Sequence, residues 1–102
     1  MPGARNGYLP PDQARRAAVD WAVATLRNPQ VVFVDTETTG LGADAEIVDI
    51  ALIGRDGDVL FESLVRPQGC IPSEVVSIHG ITDAMVADAP EWGDVYPTVR
   101  RI

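Results

Sequence analysis

The sequence predicts an α+β domain in which one helix precedes a three-stranded antiparallel meander and short helices follow it. Three observations support this prediction. Hydrophobic residues recur at three- and four-residue steps near the N-terminus, two apolar runs flank an Asp-Gly pair in the middle, and prolines divide the chain into short segments after residue 66. A chain of 102 residues is long enough for one small domain.

The N-terminal part of the chain predicts a lead-in and one helix. Residues 1–11 are rich in Gly, Pro and Asn, and we expect them to be flexible. A helix is predicted for residues 12–27, which lie between Pro11 and the pair Asn28-Pro29. The residues that fall on one face of this helix are Ala14, Ala17, Ala18, Trp21 and Thr25. This spacing indicates a packing helix that carries no chemistry.

Three apolar segments predict the meander. The β-branched run at residues 31–34 is typical of a strand buried on both faces, and we expect it to be the central strand. Residues 46–53 and 59–65 predict the second and third strands. Between them lies Asp56-Gly57, which indicates a tight antiparallel hairpin because glycine tolerates a positive φ.

Short helices are predicted for the rest of the chain. Pro72 suits the first position of a helix that ends near Ser77, since its missing N–H would be unpaired there. Thr82 can cap a second helix over residues 83–88. Residues 91–102 predict the start of a further helix.

Composition limits the possible functions. The formal net charge is −7, which works against a nonspecific electrostatic interaction with a phosphate backbone. A nucleic-acid partner would therefore require positive charge from divalent metal ions held by acidic side chains. No apolar run approaches the roughly 18 residues that span a bilayer, and no signal peptide is visible, so we expect a cytoplasmic protein without a membrane partner.

One acid pair is the strongest candidate for chemistry. Asp35 and Glu37 follow the first predicted strand, and residues two apart on a strand face the same way. Two converging carboxylates suit Mg²⁺ or Mn²⁺. An isolated Asp-x-Glu is usually a solvated pair in a polar turn. Here, however, the pair lies within a longer string that continues through Gly40 and Leu41 to a second strand.

Two strings resemble a known family. Val-Asp-Thr-Glu-Thr-Thr-Gly-Leu at residues 34–41 resembles the first motif of the DEDD (DnaQ-like) 3′–5′ exonuclease superfamily. Ile-His-Gly-Ile-Thr-Asp at residues 78–83 resembles a signature of the branch that includes the epsilon proofreading subunit of DNA polymerase III. The resemblance covers residues 31–90 and implies a ribonuclease H-like fold and removal of nucleotides from the 3′ ends of DNA or RNA.

The resemblance also implies roles for individual residues. In that family four carboxylates hold two Mg²⁺ or Mn²⁺ ions. Asp35 would bridge both ions and Glu37 would bind one, which makes them the catalytic pair. The residues that would contact the terminal nucleotide are Thr38, Leu41, Glu74, Ile78 and His79. His79 is equally consistent with a surface or capping histidine, and Asp49 is expected to be hydrogen-bonded or at a sheet edge rather than a third ligand.

The later motifs of the family have no match in this sequence. We therefore expect residues 12–102 to be a partial exonuclease domain that is inactive alone, with an unpaired apolar edge at residues 31–34. Its partners would be a nucleic-acid 3′ end and either a polymerase or the remaining half of the domain. The alternative function is a non-catalytic nucleic-acid-binding or interaction remnant of the same fold.

Overall fold

The computed structural model of the protein describes residues 9–102, which fall into two units that meet between Val31 and Val32. Most of the predicted lead-in, residues 1–8, lies outside the described residues. The first unit contains helix α1 (Pro11–Arg27), which has a proline in its first turn and ends where the Asn28 N–H donates to the Thr25 carbonyl. The helix predicted for residues 12–27 is confirmed.

The second unit is built on an antiparallel sheet. Its strands are β1 (Val32–Thr38), β2 (Ile47–Gly54) and β3 (Val59–Leu64), arranged in the order β1-β2-β3. The turn between β2 and β3 contains Gly57 at φ 89°, where the Gly57 N–H donates to the Gly54 carbonyl at 3.0 Å. The predicted meander and its Asp-Gly hairpin are confirmed.

The position and length of β1 correct three expectations. β2, not β1, is the central strand, and β1 pairs with β2 alone among the described strands, which agrees with the unpaired edge expected at residues 31–34. β1 is also not buried on both faces, because Phe33 and Val34, which project to opposite faces, are 43% and 61% exposed. β1 also continues through Thr38, since its ladder with β2 is unbroken from Val32 to Glu37. The predicted acid pair therefore lies within the strand and not after it.

Three helices follow the sheet: α2 (Ser73–His79), α3 (Asp83–Val86) and α4 (Trp92–Arg101). Pro72 is the N-cap of α2 and not its first residue, and the helix ends two residues later than predicted because Gly80 adopts φ 78°. Thr82 caps α3 as predicted, with its hydroxyl accepting from the Met85 N–H. No helix within residues 9–102 is both long and apolar enough to cross a membrane.

The core lies on one face of the sheet. Alternate residues of β2, namely Val48, Ile50 and Leu52, are buried. Ile50 and Leu52 cluster with Val95 of α4, while Val48 clusters with apolar residues of the α2–α3 region. The opposite face, which carries Asp49, is only half-buried, and it holds the acidic side chains described below.

Candidate active site

Acidic residues of all three strands share one face of the sheet. Asp35 and Glu37 lie two apart on β1, and they pair with Ala51 and Asp49 of β2. Ala51 also pairs with Glu62 of β3. Since directly paired residues project to the same face, the side chains of these four acids lie on the side opposite the core. Asp35 and Glu62 are exposed, whereas Glu37 and Asp49 are half-buried.

The charges on this face affect one another. Partial burial raises the pKa of the Asp49 carboxyl above its ordinary value, and the negative charges of Glu62, Glu37 and Asp35 raise it further. A hydrogen bond from the backbone N–H of Ile50 opposes this effect. The expectation that Asp49 lies at a sheet edge is wrong, because β2 is the central strand. The alternative expectation, that Asp49 is hydrogen-bonded, stays a prediction.

The donor chemistry of this face fits a hard divalent cation. Carboxylate oxygens are the ligands that Mg²⁺ and Mn²⁺ prefer, and Asp35 and Glu37 present theirs on one side of one strand. Within residues 9–102, no group of three or more His, Cys, Asp or Glu side chains is arranged to hold a metal ion. Asp35 and Glu37 could therefore supply only part of a coordination shell, which water or substrate would complete.

The end of β1 is anchored by several hydrogen bonds. The register with β2 shifts between Glu37 and Thr38. Beyond this irregularity, Thr39 and Glu46 bond reciprocally: the Thr39 N–H donates to the Glu46 carbonyl at 2.9 Å, and the Glu46 N–H donates to the Thr39 hydroxyl at 3.0 Å. The Glu46 carboxylate in turn accepts from the backbone N–H groups of Gln68 and Gly69. The loop after the acid pair is thereby tied to the segment that follows β3.

His79 joins the two sequence strings in space. Its Nε2 lies 3.0 Å from the Thr38 carbonyl oxygen, at a separation of 41 residues. Its Nδ1 accepts from the Ile81 N–H at 3.0 Å. The last residue of α2 is therefore bonded to the last residue of β1, and His79 is neither a freely solvated side chain nor only a cap of its own helix.

A cleft of about 270 Å³ lies between the end of β1 and α2. The residues that line it are Thr36, Glu37, Thr38, Gly40, Leu41, Val75, Ile78 and His79. It includes four of the five predicted nucleotide-contacting residues, and the apolar side chains of Leu41 and Ile78 on its walls are 105% and 81% exposed. Asp35 and Glu74 do not line it. Glu74 is exposed one helical turn before Ile78.

Sequence reasoning missed some residues that the structure brings into this region. Thr36 and Val75 line the cleft, Glu62 shares the acidic face, and the Glu46 carboxylate anchors the loop. Glu62 could have been found from the hairpin, because counting outward from Asp56-Gly57 assigns alternate residues to each face. The contacts of Glu46 with backbone more than twenty residues away leave no local signal in the sequence.

Comparison with known proteins shows what this chain is similar to. The sequence model of RNase_T, described as exonuclease, matches residues 32–102. The chain is 54% identical over 71 residues to an uncharacterized exonuclease, CP81, of Escherichia phage 186, a match that covers 70% of this chain and 37% of that protein. It is 48% identical over 73 residues to a DNA polymerase III subunit epsilon-like protein of Rhodobacter capsulatus, covering 64% of this chain and 10% of that protein. The chain thus spans well under half the length of either relative.

A solved structure shows the same fold. Exonuclease X in complex with 5′ overhanging duplex DNA superposes with a TM-score of 0.58 and 42% sequence identity, over 67% of this chain and 42% of that chain. The match confirms the predicted α+β, ribonuclease H-like fold. The resemblance drawn from the two sequence strings is confirmed as well, since the family model covers both strings and one relative is named as epsilon-like.

Proposed function

The chain belongs to the RNase_T exonuclease family, and from this premise we propose that it forms part of a metal-dependent 3′–5′ exonuclease that hydrolyses nucleic acid from 3′ ends. One observation carries the proposal: Glu37 lies on the acidic face beside Asp35, and it is also one of the residues that line the cleft. A nucleotide in that cleft would place its phosphate near the two carboxylates.

Asp35 and Glu37 are the proposed catalytic and metal-binding pair. They would hold Mg²⁺ or Mn²⁺, which when bound supplies the positive charge that a scissile phosphate and an attacking water require. This role also resolves an electrostatic difficulty, because a chain of net charge −7 would otherwise repel a polyanion. The negative charge of Asp49, directly across from Glu37, adds to the attraction for a cation.

The cleft is the proposed site of the terminal nucleotide. Leu41 and Ile78 offer apolar surface to a base, and Thr38 and His79 also line the cleft. Glu74, one helical turn from Ile78, is proposed to reach the sugar from outside the cleft.

The proposed partners follow from the relatives. The structural neighbour was solved with duplex DNA, and one relative is named for a polymerase subunit. We propose a nucleic-acid 3′ end as substrate and a polymerase, or further sequence of the same domain, as protein partner. We also place the protein in the cytoplasm, a compartment consistent with the single free Cys70.

Metal binding gives the first test. Addition of Mn²⁺ to ¹⁵N-labelled protein should broaden the amide signals around Asp35 and Glu37, because the paramagnetic ion relaxes nearby nuclei. The double variant Asp35→Asn, Glu37→Gln should lose this broadening. Asp88→Asn, which neutralises an exposed acid after α3, is the matched control and should retain it. Broadening that is unchanged in the double variant would reject the metal site.

A nuclease assay separates the proposed function from its alternative. We expect no turnover of a 5′-labelled single strand by the 102 residues alone, because they supply two of the four carboxylates that the resemblance implies. Shortening from the 3′ end that Asp35→Ala abolishes would contradict this expectation of inactivity. Oligonucleotide binding that needs no metal and persists in the double variant would instead favour the non-catalytic binding module.

A further inference from the structure

The ring nitrogens of His79 are both used inside the protein, in one particular tautomer. The Thr38 carbonyl oxygen can only accept, so Nε2 must carry the proton. The Ile81 N–H can only donate, so Nδ1 must be the bare nitrogen. A neutral imidazole with its proton on Nε2 satisfies both partners, and no other form of the ring does.

We propose that His79 is a positioning residue for the acid pair, acting through the backbone of Thr38. This role rests on the proposed function, since it concerns how Glu37 is aimed at a cation. Thr38 directly follows Glu37, and the strand register shifts between the two residues. A carbonyl held at this point fixes the Thr38–Thr39 peptide, which lies one residue beyond Glu37.

The location explains why such an anchor is useful. Among the strands of residues 9–102, β1 lies at the edge of the sheet, so within this part of the chain its end has a strand neighbour on one side alone. The reciprocal bonds of Thr39 and Glu46 anchor the loop toward β2. The bond from His79 anchors the same loop toward α2, at 3.0 Å. The backbone next to Glu37 is therefore held on two sides. This double anchoring preorganises the Glu37 carboxylate as a ligand better than an edge strand alone would.

Two substitutions separate this role from local capping. Glutamine places its amide near the position of Nε2, so His79→Gln can still donate to Thr38 but loses the acceptor for Ile81. Asparagine places its amide oxygen near Nδ1, so His79→Asn can still accept from Ile81 but cannot reach Thr38. A histidine that only closed its own helix would be replaced better by asparagine.

The hydrogen-exchange rates of the Thr39 and Ile81 amides distinguish the positioning role from local capping. In His79→Asn the Thr39 amide should exchange about fivefold faster than in the unmodified protein, the loss expected for one hydrogen bond of ordinary net strength. In His79→Gln the Thr39 amide should stay within about twofold, while the Ile81 amide exchanges faster. The opposite pattern, with Thr39 protected in the asparagine variant and exposed in the glutamine variant, would overturn the proposal.

A measurement on the unmodified protein covers the case in which a variant fails to fold. Two-bond ¹H–¹⁵N correlations of the imidazole should show the proton on Nε2, and a proton on Nδ1 would overturn the proposal. These readouts require no metal, so they are separable from the nuclease assignment. If the protein shows the expected tautomer and exchange rates but binds no Mn²⁺, the anchoring of Thr38 by His79 is supported and the proposed function is rejected.

Discussion

Glu37 on β1 lies directly opposite Asp49 on β2, so that two carboxylates of adjacent strands project from the same face of the sheet. Like charges placed opposite each other destabilise a strand pair. This repulsion contributes to the raised pKa of Asp49. Partial burial is the largest cause of the raised pKa, and the negative charges of Glu62, Glu37 and Asp35 raise it further. Such a conflict is costly for folding and useful for attracting a cation.

Neutralising Asp49 should stabilise the protein in a pH-dependent way. Because the pKa of Asp49 is raised in the folded state, the free energy of unfolding falls as the pH rises through that pKa. Asp49→Asn should therefore unfold at higher urea concentration than the unmodified protein at about pH 7, and the difference should vanish below the ordinary aspartate pKa of about 4. Asp88→Asn, at an exposed site, is the control. A variant that is less stable at neutral pH would contradict the electrostatic account.

Divalent cations should stabilise the folded chain through Asp35 and Glu37. A ligand that binds only the folded state, at ten times its dissociation constant, raises the free energy of unfolding by about 1.4 kcal/mol. Mg²⁺ or Mn²⁺ should raise the urea midpoint of the unmodified protein, and should not raise that of Asp35→Asn, Glu37→Gln. Na⁺ at equal ionic strength controls for screening. An equal rise with Na⁺ would assign the effect to general charge screening and not to a site.

The sequence predicted the order of the elements because the relevant signals are local. Alternating apolar residues, Asp56-Gly57 and Thr82 each act within a few residues, and the structure shows the strands, turn and cap that they indicate. The central position of β1 was predicted wrongly, because a run of four apolar residues reads the same in a central strand and in an edge strand. Strand order depends on pairing over long distances.

The candidate site shows the same division between local and distant signals. The spacing of Asp35 and Glu37 predicted a shared face, which the strand register confirms. The bond between His79 and Thr38 spans 41 residues, and only packing could reveal it. Similarly, Asp49 looked isolated in an apolar strand, yet the register places it opposite Glu37.

The core should be sensitive to truncation at the centre of β2. Ile50 is 2% exposed and clusters with Leu52, Val65 and Val95. Ile50→Ala should lower the free energy of unfolding by about 2–5 kcal/mol, from lost burial and the cavity left behind. Val59→Ala is the matched control. Because Val59 is 59% exposed, its truncation should lower the free energy of unfolding much less. Equal losses at the two sites, measured by urea unfolding, would show that the sheet packs differently.

Gly80 should be the glycine least tolerant of a side chain near the candidate site. Its φ of 78° lies in the left-handed region, where a Cβ approaches the following carbonyl and costs about 1–2 kcal/mol. No heavy atom outside its chain neighbours lies within 4 Å of a Cβ built there, so the penalty of Gly80→Ala would come from the backbone alone. Gly42→Ala offers the control, since its Cβ also meets nothing within 4 Å and no positive φ is required.

The backbone conformation of Gly80 also affects the cleft. Gly80 ends α2 through its N–H bond to the Val76 carbonyl at 2.7 Å, and it separates His79 from Ile81, whose N–H donates to the histidine ring. An alanine that shifted this turn should weaken the His79 bond to Thr38 and speed exchange of the Thr39 amide. Asparagine tolerates the left-handed region better than alanine, so Gly80→Asn should restore part of both the urea midpoint and the Thr39 protection. Full stability of Gly80→Ala would show that the turn relaxes at no cost, and that the end of α2 does not hold His79 in place.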